Sequence, residues 1–316
     1  MKLVPIGIEN FKEMIDKNAY YVDKTNLIID VLNEQVVSYT RPRRFGKTLN
    51  MSMLYYFFSI KEKENAYLFN GLNISKNKEA IKHQNQYPTL FITLKDMKNS
   101  SYEKQMNRFK EIICLCAKNF LELLDSDELL DSEKKLFQKY VDNEIQDNEL
   151  ESALFNISYF LYKYYHQKVI ILIDEYDVPL QSAYQYNYYY EMVEFLRNVF
   201  SSALKTNESL EKGIMTGCLR ISKESIFTGL NNFNVLSVMS PQFDECFGFT
   251  DEEVKEMLAY YGLSEHYEQM KQWYDGYLFG NVSVYCPWDV INHCRDLRVD
   301  SDAFPEDYWS NTSGND

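Results

Sequence analysis

The sequence predicts an α/β protein: a mainly parallel central sheet flanked by helices, with a small, mostly helical C-terminal region after it. Three observations carry that expectation. Residues 169–173 (VIILI) form a continuous apolar run, the pattern of a strand covered on both faces. Short strand candidates alternate with longer helical stretches, as in layered parallel sheets. The 316 residues include 26 Tyr and 20 Phe, and rings of that size supply much buried area for a core. At about 150 residues per domain the length suits two domains.

The elements follow in order. Residues 1–35 mix polar and apolar side chains, with helical patterning near 11–15 and 26–32. Residues 35–40 (QVVSYT) read as a strand, 41–46 as a turn, and 49–60 as a buried helix rich in Leu and Met. A second strand is expected at 89–95 (TLFITLK), introduced by Pro88. Residues 102–165 look helical, with Phe109, Ile112, Ile113, Cys116 and Phe120 on one face. After the apolar strand come a helix near 187–204 and strands near 213–216 and 235–239. A boundary is placed near 244, giving a core of 1–243 and a lid-like region of 244–316. In the latter, Thr250 is the expected N-cap of a helix over 251–261, a Trp/Tyr-rich segment spans 273–288, and residues 310–316 are polar and turn-like.

The strongest local signal is Arg41-Pro42-Arg43-Arg44-Phe45-Gly46-Lys47-Thr48, lying between a predicted strand and a predicted helix. The phosphate-binding loop reads Gly-x-x-x-x-Gly-Lys-Ser/Thr, and here Arg41 stands at the first glycine. Its physics is kept: amides of the turn and helix N-terminus point at an anion, Lys47 reaches the β/γ-phosphates, and Thr48 offers a hydroxyl to Mg²⁺. Residues Arg43 to Leu49 (Arg43, Arg44, Phe45, Gly46, Lys47, Thr48, Leu49) are the candidate nucleotide contacts. By chance a bare Gly-Lys-Ser/Thr arises in roughly one chain in six of this length. A second half of the site weighs against chance, although acids are also common at solvated strand ends. The strand at 169–173 ends in Asp174 and Glu175, suited to ordering Mg²⁺ and to polarising the attacking water. Thr216, at the end of the next strand, reads either as a polar sensor of the γ-phosphate or as a turn residue before Gly217. Arg220 reads as an arginine finger acting in cis or in trans, or as an ordinary ion-pair partner, which is the commoner use of any single Arg. The cluster Arg41, Arg43 and Arg44 suits phosphates of a nucleotide, a nucleic acid or nearby acids, and its loop position favours the nucleotide.

Composition excludes some alternatives. Lys plus Arg is 33 against 47 Asp plus Glu, a net charge of −14, which disfavours broad nucleic-acid binding through phosphate neutralisation. The six Cys contain no Cys-x-x-Cys pair and are expected to be reduced, buried thiols. The four His show no metal spacing. The nuclease spelling Asp/Glu-x-Lys occurs at Asp96-Met97-Lys98, Glu133-Lys134-Lys135 and Glu253-Val254-Lys255, and these are read as ordinary surface charges. The tyrosines of 184–190 are read as helix packing. Residues 1–11 hold one Lys and no long apolar stretch, so no secretory signal is expected. No run approaches about 18 apolar residues, so no transmembrane helix is expected, and the expected compartment is the cytoplasm.

Taken together these words resemble the predicted AAA-ATPase-like family of bacterial and archaeal proteins. The resemblance rests on Pro5-Ile6-Gly7-Ile8 with Phe11, Tyr21-Val22-Asp23-Lys24-Thr25, and the loop from Thr40 to Thr48. It continues through Asp174-Glu175-Tyr176-Asp177-Val178-Pro179-Leu180, Thr216-Gly217, Ser225-Ile226-Phe227-Thr228-Gly229-Leu230-Asn231-Asn232, Trp273-Tyr274-Asp275-Gly276-Tyr277, Tyr285-Cys286-Pro287-Trp288 and Tyr308-Trp309. It implies a P-loop ATPase core binding ATP and Mg²⁺, with Arg41 belonging to this family's form of the loop and Tyr21 to Thr25 on the adenine side. The preference for ATP over GTP comes from the resemblance, since no guanine-reading motif stands out. Family members often continue into a PD-(D/E)XK nuclease-like domain past the segment matching 308–316. Nuclease activity is therefore not expected of these 316 residues. The expected role is a nucleotide-driven switch acting on an effector domain or protein partner, with self-association left open. The alternatives are a nucleotide-binding scaffold without turnover and a nucleic-acid-binding module of a nuclease system.

Overall fold

The computed structural model describes residues 1–218, 226 and 233–310. Two short helices, α1 (Phe11–Asp16) and α2 (Leu27–Leu32), lead into strand β1 (Val36–Thr40) and helix α3 (Lys47–Phe58). Two 3₁₀ segments (Ile60–Phe69 and Asn73–Lys76) and helix α4 (Lys78–Ile81) precede β2 (Thr89–Thr93). The expected helical run then resolves into α5 (Tyr102–Lys118), α6 (Asp131–Asp142), α7 (Asp147–Leu150) and α8 (Ala153–Tyr165). Left-handed caps at Asn143 (φ 61°) and His166 (φ 52°) end α6 and α8. Strand β3 (Val169–Asp174) is followed by α9 (Val178–Gln185), α10 (Tyr189–Leu204), β4 (Leu210–Gly217) and β5 (Phe233–Leu236). The last strand begins two residues earlier than expected. Helix α9 was not anticipated, although Pro179 in its first turn marks a helix start.

The five strands pair in parallel in the order β2-β3-β4-β1-β5. β4 therefore lies between the strand that feeds the phosphate-loop candidate and the strand that ends in Asp174. All five residues of β1 and all six of β3 are buried. The alternation of β3 explains why: Ile171 and Ile173 join a core with α5, α8 and α10, while Ile170 and Leu172 join a second core with α3. The C-terminal ends of the strands thus meet at one edge, where open parallel sheets place their ligands.

After β5 the chain builds β6 (Phe249–Thr250), α11 (Asp251–Tyr261), α12 (Tyr267–Tyr274), β7 (Asp275–Phe279), β8 (Val282–Tyr285) and α13 (Pro287–Val299). As expected, Thr250 caps α11, accepting from the Glu253 amide at 3.3 Å. The Trp/Tyr-rich segment is largely a β7–β8 hairpin, which β6 extends to a three-stranded antiparallel sheet. Its two-residue turn, Gly280-Asn281, is a sequence signal for such a hairpin. This region has its own core, with Val254, Leu258, Met270, Val290 and Cys294 fully buried. Among the described residues no helix is long and apolar enough to cross a membrane.

Candidate functional site

The site starts from β1, whose residues leave the sheet edge at Thr40. Gly46 sits in the left-handed region (φ 79°) as the residue before α3, and Arg44 also has positive φ (70°). Alternating backbone handedness of this kind turns successive amides toward one point, a concavity suited to an anion at the positive end of a helix. Lys47, only 5% exposed, bends back over the loop. Its ammonium donates to the carbonyls of Pro42 (2.8 Å) and Arg41 (3.1 Å) and approaches Cys218 Sγ at 3.3 Å.

The structure brings the second motif to this loop. The Thr48 hydroxyl donates to Asp174 Oδ2 at 2.8 Å, and the Thr216 hydroxyl donates to Asp174 Oδ1. Asp174 is fully buried. Burial pushes its carboxyl above the ordinary carboxylate range, while the bonds from Thr216 and Thr48 and the Lys47 charge act in the opposite direction. Thr48 and Asp174 offer the hard oxygen donors that Mg²⁺ takes, and they would suit that ion. Glu175 adopts a left-handed backbone (φ 54°), a conformation that costs a non-glycine residue on the order of 1–3 kcal/mol and clusters at functional positions. Burial and then the neighbouring Asp174 charge raise its carboxyl, with Lys47 offsetting part of the effect.

Lys47, Thr48, Glu175 and Cys218 line a cavity of about 360 Å³. Ile8, Tyr20, Tyr21, Val22, Phe249 and Trp288 line the same cavity and supply apolar and aromatic surface of the kind that takes a flat base. Arg43, Arg44, Phe45, Gly46 and Leu49 also line it. Their side chains have distinct settings. Arg43 donates to Gln181 Oε1 at 3.0 Å. The Arg44 guanidinium lies over the Trp288 ring at 4.2 Å. Phe45 packs its ring between Tyr277 and Phe279, at 4.8 and 5.1 Å.

Arg41 departs from the phosphate role open to it in the sequence. Its guanidinium is fully buried and donates to the carbonyls of Thr40 (3.0 Å), Leu236 (2.9 Å) and Phe243 (3.4 Å), beside the rings of Phe247 and Phe279. Burial brings its pKa down to about 10. It props the loop from beneath. Two further residues were missed from sequence. Asp177, fully buried, accepts the Cys218 amide on both oxygens at 3.1 Å and so fixes the chain just past β4. Lys98, read as a surface charge, lines the cavity. Five of the six thiols are buried as expected, whereas Cys218 is half-buried in the site. Arg220 lies outside the described residues, as does most of the Ser225-to-Asn232 word.

A family model described as Predicted AAA-ATPase matches residues 5–227, more than half of the chain. The nuclease-like continuation expected of family members is not confirmed by that match. An uncharacterised protein in the vnfD 5' region of Azotobacter chroococcum mcd 1 is 26% identical over 298 residues, covering 92% of this chain and 51% of that protein. The chain thus spans about half the length of the curated relative it matches.

Proposed function

The chain belongs to the predicted AAA-ATPase family, and from that premise we propose that it binds ATP with Mg²⁺ in the P-loop cavity and hydrolyses it, as a switch for an effector. The single observation that supports this best is the Thr48–Asp174 hydrogen bond, which joins the two motif halves across the sheet, with Lys47 and Glu175 on the same cavity. In this reading the loop amides and Lys47 hold the β- and γ-phosphates, Lys47 exchanging its loop carbonyls for phosphate oxygens. Thr48 and Asp174 would hold Mg²⁺, which when bound neutralises charge on the phosphates. Glu175 orients and polarises the attacking water. Thr216 reports to Asp174 through its hydroxyl, the sensor role. The Tyr20-to-Val22 side of the cavity takes the base. Residues 1–243 act as the ATPase core in the cytoplasm and 244–316 as a lid whose contacts with the loop transmit nucleotide state.

The test is ATP binding and hydrolysis by the purified chain beside Lys47→Ala and Glu175→Gln. Lys47→Ala is expected to lose binding. Glu175→Gln is expected to keep binding and lose about 10²-fold or more in kcat, the scale of a general-base contribution. Binding without turnover in the wild type would instead favour the non-hydrolysing scaffold.

A further inference from the structure

The cations around the cavity are unequal. Lys24 is paired with Glu253 at 2.6 Å, Lys47 with loop carbonyls, Arg43 with Gln181 and Arg44 with the Trp288 ring. Lys98 lines the same cavity, and its ammonium has no hydrogen-bond or ion-pair partner among the described residues. Yet the backbone that carries it is firmly built. Thr93 stands opposite Asp174 in the β2–β3 register, and the next amide, Leu94, donates to the Asp174 carbonyl at 2.9 Å. Met97 is fully buried, and its carbonyl accepts from Gln105 Nε2 at 2.7 Å. Gln105, itself fully buried, accepts from Asn99 Nδ2 at 3.0 Å, and the Tyr188 hydroxyl donates to the Asn99 carbonyl. Two buried side chains therefore clamp the residues on either side of Lys98, while Lys98 itself stays exposed on the cavity that Glu175 also lines, close enough for its charge to act on that carboxylate.

A cation on a fixed backbone, held in no ion pair and within electrostatic reach of the Glu175 carboxylate, is arranged to meet an anion that arrives with the substrate. We propose that Lys98 is a second phosphate-facing cation, which stabilises the negative charge spread over the γ-phosphoryl oxygens in the transition state. There the attacking water's oxygen bonds to the γ-phosphorus, its proton passes to Glu175, and the electron pair of the breaking bond passes to the β-phosphate oxygen. The inference rests on the ATPase reading above. It assigns a role that Lys47 cannot fill alone, since Lys47 approaches from the loop on β1 and Lys98 from the turn after β2, three strands along the sheet.

The experiment is steady-state ATP hydrolysis by wild type, Lys98→Ala, Lys98→Gln and Lys98→Arg, with melting temperatures to check folding. Lys98 is exposed and its side chain makes no hydrogen bond or ion pair among the described residues, so all four are expected to melt alike. Lys98→Ala and Lys98→Gln are expected to lose about 10²-fold in kcat, the scale of one lost transition-state donor. KM for Mg-ATP should change by less than about threefold, and Lys98→Arg should recover part of the rate. The binding of Mg-ADP with aluminium fluoride, which mimics the transferring phosphoryl, should weaken in Lys98→Ala while Mg-ADP alone binds as before. Wild-type turnover with kcat unchanged in Lys98→Ala, or with the loss confined to KM, overturns the role of Lys98 and leaves the ATPase reading standing. No turnover by the wild type overturns that reading and this inference together.

Discussion

At the scale of single residues, the site depends on how closely the backbone approaches behind Asp174. A Cβ added at Gly217 would lie 2.7 Å from Tyr176 Cε1 and 2.8 Å from Asp177 Oδ1, both held by buried surroundings. Gly217→Ala is therefore expected to destabilise the fold by about 1–3 kcal/mol, an overpacking penalty, as read by urea unfolding. It should also slow hydrolysis by displacing Thr216 from Asp174; an unchanged unfolding midpoint would show slack that these distances do not. The contrast with Arg41 shows what a sequence discloses. Lys47, Thr48, Asp174 and Glu175 were legible because each sits at a fixed offset from a strand end, so local spacing alone aligns them. The burial of Arg41 is set by Leu236, Phe243, Phe247 and Phe279, some 200 positions away, and no local pattern encodes that. Lys98 was hidden for a related reason: a charged residue in a polar turn looks solvated until the strand beside it is known to be β3.

At the scale of elements, α11 is the case where local rules were sufficient. Thr250 and Glu253 exchange capping bonds, and Asp251 opens the first turn. Burial alone would raise the Asp251 carboxyl, but bonds from Lys255, Tyr285 and Tyr267 outweigh it and bring the group down to about 2. A carboxyl depressed in the folded state adds stability above its unfolded pKa, near 3.8, and loses it as pH falls through the folded value. Because the side chain is largely solvent-screened, its contribution at neutral pH is about 1 kcal/mol. Asp251→Asn is accordingly expected to be less stable than wild type at pH 7, with the gap narrowing below about pH 4 in chemical unfolding. A gap independent of pH would assign the effect to packing. The hairpin β7–β8 was harder to read. Its strands are four and five residues long, and a tyrosine-rich segment fits helix and strand patterns alike. Only the Gly280-Asn281 turn distinguishes them.

At the scale of the whole molecule, the phosphate loop is held from two sides. The sheet presents it through β1, and the C-terminal region grips its outer face through Tyr277, Phe279 and Trp288, with the Gly248 amide donating to the Phe45 carbonyl at 3.4 Å. A ligand that reshapes the loop must therefore act on those rings. Mg-ATP is expected to change the solution scattering profile, and identical profiles with and without it would remove the switch role. The parallel order of the sheet was legible from apolar runs separated by helices, whereas the insertion of β4 between β1 and β3 was not, because strand order is a property of crossovers and leaves no periodic trace. That insertion also governs when the protein can become itself. Thr48 and Asp174 are 126 positions apart, and the strand that separates theirs comes later still, at Leu210–Gly217. While the chain is being synthesised, β1 and β3 emerge without the neighbour they share, so two strands that are wholly buried in the folded protein wait with open edges. Pairings this distant in sequence are slow to close, and nucleotide can favour the native state only once they have closed. The arrangement that unites the two motifs thus leaves the growing chain dependent on protection from aggregation until most of it has been made.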